Sequence, residues 1–194
     1  MADIDQLYPW VGASPSDLEL ACTQIARRLI ASGRKAIGFL PAPGTSDLLS
    51  LLVRLGGALY PFQQRQAAVI PAWTTWDAPP ENSRRLGDDA LGPSVRPLPG
   101  PNGPTLLVPP PCPDASTAAL SLQLALRRLE KKFPQALLDL TGLPGVAPDD
   151  PQAALRLVDG VTLVGTRRRT TVGALRRASR QIPTDKNLGA LLIG

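Results

Sequence analysis

The sequence contains no histidine and only two cysteines, Cys22 and Cys112, far apart along the chain. Neither a zinc site of the usual Cys/His kind nor a disulfide framework is supported, and a reducing cytosol is the expected setting. No stretch approaches the roughly 18 apolar residues of a membrane-spanning helix. The opening "MADIDQLYPW" is acidic and lacks the charged-then-apolar pattern of a secretory signal. The expectation is a cytoplasmic protein with no membrane span. Aromatic residues are scarce, at 4%, so each tryptophan needs an explanation.

What the sequence has in quantity is proline, with 22 residues, and an excess of cationic side chains that gives a net charge of +5. A net charge of this size permits a nucleic-acid or anionic-lipid partner without arguing for one. The 194 residues suit one domain with one core. Seven of the prolines fall in a Pro/Gly-rich excursion at 74–104 that has no sustained period, and it reads as a long surface segment. Residues 1–13 read as an N-terminal arm, either a docking arm or a strap on the body.

Elsewhere helix and strand alternate. Leu18, Cys22, Ile25 and Leu29 form the apolar stripe of a helix over 16–32, ended by Gly33. Apolar runs predict strands at 36–40, 67–70, 105–108, 135–140, 160–165 and 188–193. Helical spacing predicts helices near 46–59, 116–132, 151–157 and 171–181. Several strands are continuously apolar rather than alternating, as when helices cover both faces of a parallel sheet. The fold class is therefore α/β, a doubly wound, mostly parallel sheet in a single domain.

The second half, "FPQALLDLTGLPGVAPDDPQAALRLVDGVTLVGTRRRTTVGALRRASRQIP", resembles that of the MinD/ParA-like P-loop ATPases, above all the cytoplasmic domain of the bacterial tyrosine kinases of capsular and exopolysaccharide synthesis. The matching segments are Phe133 to Pro144, Ala153 to Asp159, Gly160 to Val164, and Thr170 onward. The helix and strand in "SPSDLELACTQIARRLIASGRKAIGF" match the family's segment before its phosphate loop. The likeness spans Ser14 to Gly194 apart from the excursion, and it implies a P-loop NTPase-like fold.

The nucleotide chemistry that the resemblance implies is largely missing. The phosphate loop would be "PAPGTSDLLS", where Gly44 alone remains of the glycines, Asp47 replaces the lysine, and Leu48 and Leu49 replace the hydroxyls that hold magnesium. A carboxylate facing a triphosphate repels it. The family's second acidic motif would fall on "VIPAW", where Pro71 and Trp73 take both acidic positions. Asp139 alone keeps the position of a magnesium-shell acid, and its bland reading is a strand-end aspartate bonded to loop amides. Gly44, Asp47 and Asp139 thus read as a vestigial nucleotide site, with no catalytic residue, metal or cofactor. Gly194 directly follows a strand with no tyrosine-rich tail, so autophosphorylation of the family's kind is not expected.

Two features remain as candidates for binding. Arg167, Arg168 and Arg169 follow a strand, and Arg176, Arg177 and Arg180 follow on the next helix, where Arg176 and Arg180 share a face. No aromatics are interleaved with them, which argues against single-strand nucleic-acid binding. Trp73 and Trp76 fall beyond a strand, at the sheet edge where parallel strands present ligands. The reading is an inactive P-loop-like scaffold that docks a protein partner, such as an active MinD/ParA-like ATPase or a polysaccharide-secretion component. The alternatives are an ATPase or kinase with an atypical loop, and a nucleic-acid accessory protein using the arginines.

Overall fold

The computed structural model describes residues 8–9, 15–43, 45, 48–72, 84–85, 93–98, 102–110, 115–142 and 152–193. Among these described residues, nine strands and five helices follow one another in the order β1 (Tyr8–Pro9), α1 (Pro15–Ala31), β2 (Ala36–Pro41), α2 (Leu49–Gln63), β3 (Ala68–Ile70), β4 (Arg84–Arg85), β5 (Ser94–Pro97), β6 (Thr105–Val108), α3 (Ala115–Leu129), β7 (Ala136–Asp139), α4 (Gln152–Leu157), β8 (Gly160–Thr166), α5 (Val172–Gln181) and β9 (Asn187–Ile193). Every strand and helix expected from apolar runs and helical spacing is present.

The strands form one sheet in the order β1-β9-β8-β2-β7-β3-β6-β5-β4. All pairings from β1 to β6 are parallel, and β5 and β4 join antiparallel. From β2 the chain steps over β7 to β3, and later it crosses from β7 over β2 to β8. With right-handed crossovers, these opposite steps put α1 and α2 on one face and α3, α4 and α5 on the other. The sheet is doubly wound. Both faces being covered explains why β3, β6 and β7 are buried along their whole length.

The core is built mainly from leucine and β-branched residues. Phe39 and Ile37 of β2, Leu137 of β7 and Leu107 of β6 are fully buried, and Leu52, Leu55 and Leu59 of α2 close over one face. Burying a side chain of this size contributes about 1.5–3 kcal/mol.

The differences from the sequence reading are local. Helix α2 runs to Gln63 rather than stopping at Leu59, with Pro61 inside its last turn, and Gln64 ends it in a left-handed conformation with φ 53°. The excursion carries strands β4 and β5, and Val95 of β5 is buried at 4% exposure. A four-residue strand bounded by prolines is too short to show a period. In the arm, Tyr8 and Pro9 pair with Leu191 and Leu192 on the outer edge of β9, so this part is a strap on the body.

Candidate functional site

The strand order changes direction around β2, and a doubly wound sheet presents its ligand crevice at the carboxyl ends of the strands at that switch. Three of the predicted features converge there: the loop after β2, Asp139 at the end of β7, and the arginine turn after β8. Pro41 is in register with Val164, and Phe39 with Asp139.

The loop after β2 is tied to β8. The Ala42 amide donates to Val164 O at 2.7 Å, and the Thr45 hydroxyl donates to the same oxygen at 3.2 Å. The Thr166 hydroxyl donates to Thr45 Oγ1 at 3.3 Å. Gly44 and Asp47 lie outside the described residues. Leu48 is described: it precedes α2, is 0% exposed, and makes no side-chain cap for the helix. The resemblance assigns a magnesium-holding hydroxyl to this position. Here the position holds an apolar side chain that faces the core, and the described residues do not fit a magnesium nucleotide.

Asp139 is 6% exposed and accepts the Thr141 amide at 2.8 Å. An aspartate that bonds the amide two residues on is a common turn device. Its carboxylate is therefore occupied in part by its own loop. Pro71 is buried beyond β3, while Trp73 and Trp76 lie outside the described residues.

The arginine turn has a defined shape. Thr170 N and Arg169 N both donate to Thr166 O, at 2.8 and 3.1 Å, Thr166 N donates to Thr170 Oγ1 at 2.9 Å, and Arg167 N donates to Ile193 O at 2.8 Å. This closure places Arg168 at φ 69°, in the left-handed region that ordinary side chains avoid. Thr171 then caps α5 by accepting from Ala174 N at 3.1 Å. Leu175 and Ala178 anchor α5 to the sheet, so Arg176, Arg177 and Arg180 face solvent. Arg167, Arg168 and Arg169 are exposed as well. Among the described residues none of the six guanidinium groups is held by a carboxylate. They form a stripe that starts at the carboxyl edge and continues along the outside of α5.

The opposite, amino edge contains polar residues that sequence reasoning missed. Gln135 is 4% exposed. Its Nε2 donates to Leu29 O at 3.1 Å and Arg34 O at 2.9 Å, and its Oε1 accepts Gln63 Nε2 at 2.9 Å. Asp159 Oδ2 accepts the amides of Lys35 and Ala36 at 3.2 and 3.0 Å, clamping the start of β2. Lys186 Nζ donates to Leu155 O and Val158 O around the end of α4. These partners lie far apart in sequence, and no local pattern announces them.

No protein-family model and no curated protein matches the sequence. Solved structures do match in fold. The tyrosine kinase domain of BceF superposes with a TM-score of 0.61 at 17% identity, covering 92% of this chain and 76% of that one. The chimerical protein CapA2B2 gives 0.58 at 13% identity, covering 95% and 87%. The kinase domain of the Escherichia coli tyrosine kinase ETK gives 0.57 at 12% identity, covering 91% and 74%. The fold is thus the one of these tyrosine kinase domains, as the motif order implies. No described helix is long and apolar enough to cross a membrane.

Proposed function

We propose that the chain is a P-loop-like scaffold without nucleotide chemistry, and that it docks an acidic surface of a protein partner through Arg167, Arg168, Arg169, Arg176, Arg177 and Arg180. The observation that carries this reading is the contrast within one edge. Leu48 fills the hydroxyl position with a fully buried side chain, while the arginines of the turn after β8 at the same edge, and those of α5 running from it, stay exposed with no carboxylate among the described residues to hold them. Asp47 at the lysine position supports the same reading, because it adds negative charge where a triphosphate would bind. Likeness to the tyrosine kinase domains suggests the partner class: an active MinD/ParA-like ATPase or a component of polysaccharide secretion. Trp73 and Trp76 are further candidates for the same contact.

The test has two arms. ATP or GTP with magnesium should leave the melting temperature unchanged, whereas a ligand at 100 times its dissociation constant would add roughly 2.7 kcal/mol. A clear nucleotide-dependent shift would favour an active ATPase or kinase. In the second arm, Arg168→Glu combined with Arg176→Glu should preserve the melt and abolish recovery of the protein partner, and wild-type association should slow as salt rises. Unchanged recovery by the double variant at low salt would remove the arginines from the docking surface. Nucleic acid recovered in place of a protein would favour the accessory reading.

A further inference from the structure

A second site candidate lies on the other face of the sheet from α5, between α1 and α2. A cleft of about 430 Å³ opens there, within the roughly 300–1,000 Å³ common for small-molecule sites. Cys22 from α1 and Gly57, Ala58 and Pro61 from α2 line it, with Glu19 and Arg54 at its rim. The Cys22 thiol belongs to the core at 3% exposure. Burial pushes it up to about 11, with Arg54 opposing and Glu19 adding to the rise, so it stays neutral and contributes apolar surface at physiological pH.

Two neighbouring glycines differ in a telling way. A Cβ on Gly56 would lie 2.7 Å from Pro104 Cβ, so close packing of α2 on the body explains that glycine. A Cβ on Gly57 would lie 3.6 Å from Asn102 O, which is ordinary contact. Packing does not demand a glycine there, and glycine is the weakest helix former after proline. Its effect is to keep the cleft open. Pro61 lies four residues on, has no N–H, and leaves the Gly57 carbonyl without its i+4 helical donor. Among the described residues, neither Glu19 nor Arg54 has an ion-pair partner. An acid and a guanidinium therefore border one partly apolar cleft.

We propose that this cleft binds a small zwitterion, an amino acid or dipeptide, with its ammonium group at Glu19, its carboxylate at Arg54, and its apolar part on Ala58 and Pro61. A cation alone would leave Arg54 unmet, and an anion alone would leave Glu19 unmet. The proposal is independent of partner docking, since it uses the opposite face of the sheet.

The experiment titrates the full chain by calorimetry with four probes: L-leucine, the dipeptide Ala-Leu, N-acetyl-Ala-Leu and Ala-Leu amide. One of the two zwitterions should bind saturably, which separates a free amino acid from a peptide source. Each singly blocked form should bind at least tenfold more weakly than Ala-Leu if the dipeptide is the ligand. Glu19→Gln and Arg54→Gln should each weaken the binding zwitterion at least tenfold with unchanged melting. Gly57→Ala should melt at or above wild type, and Gly57→Leu should fill the cleft and abolish binding. If Gly57→Leu fails to fold, the Gln variants still decide. Absence of saturable binding by both zwitterions up to about 10 mM would overturn the site. So would equal binding of the blocked dipeptides and Ala-Leu, or retained binding in both Gln variants.

Discussion

The two edges of the sheet use the same polar residue types in opposite ways. At the amino edge the cations serve the main chain: Arg34 Nη2 donates to Asp185 O at 2.5 Å, Arg65 Nη2 to Lys132 O at 2.7 Å, and Lys186 to carbonyls around the end of α4. At the carboxyl edge Arg167, Arg168 and Arg169 are exposed with no such role among the described residues. The side-chain bonds that tie the loop after β2 and the arginine turn to β8 come from threonines, Thr45, Thr166 and Thr170. A cation committed to a carbonyl is part of the scaffold, and one left in solvent keeps its charge for a partner. On the proposed docking role of the arginines, this division would set scaffold bonds at one edge and the binding surface at the other.

Gln135 is a buried junction of the amino edge, joined to Leu29, Arg34 and Gln63. Gln135→Ala removes the donor that meets Leu29 O and Arg34 O and the acceptor that meets Gln63, and it leaves a void. Each unsatisfied buried group costs about 1–3 kcal/mol, so the expected loss is about 3 kcal/mol. Thr45→Val at the carboxyl edge should cost no more than about 1 kcal/mol, the worth of one modest hydrogen bond. Denaturant midpoints measure both. Equal losses would show that the carboxyl edge is scaffold too.

Leu48 is a buried apolar residue of the loop that follows β2, which hydroxyl and main-chain bonds tie to β8. Leu48→Thr restores the kind of side chain that a phosphate loop carries, but at a site with 0% exposure. Losing buried apolar volume and burying a hydroxyl should cost about 2 kcal/mol. Magnesium nucleotide should not offset the loss in a thermal melt. Rescue by magnesium ATP would mean that the cradle is intact apart from one residue.

The sequence made the layered architecture legible because it is written locally. Leu106 and Leu107 of β6 and Leu137 and Leu138 of β7 sit in continuous apolar runs, and the Cys22, Ile25, Leu29 stripe repeats at helical spacing. The arginine stripe was legible for the same reason. The amino-edge clamps were not, because Asp159 reaches Lys35 and Ala36, and Gln135 reaches Leu29, across long stretches of chain. Asp159 is quoted in the family motif, yet its bond to the start of β2 exists only once β8 lies beside β2. The wide α1–α2 cleft was equally hidden, since Gly56 and Gly57 look alike until Pro104 is seen against one of them alone.

The smallest effect tests the idea that the carboxyl edge gives up stability for charge. Arg168 holds φ 69°, a conformation that glycine adopts without a Cβ penalty, although glycine also loses more chain entropy on folding. The two terms nearly cancel, with the steric one larger at a position already left-handed, so Arg168→Gly should stabilise by about 0.5 kcal/mol. Its exposed guanidinium has no partner to lose among the described residues. Partner recovery should nevertheless fall, because the strained position is where the turn holds its charge outward. Raised or unchanged stability together with weaker docking is the pattern expected of a residue kept for binding. A loss of more than about 1 kcal/mol would instead make Arg168 a structural residue like Arg34. The distinction between the two edges would then fail at the point where it is drawn most finely.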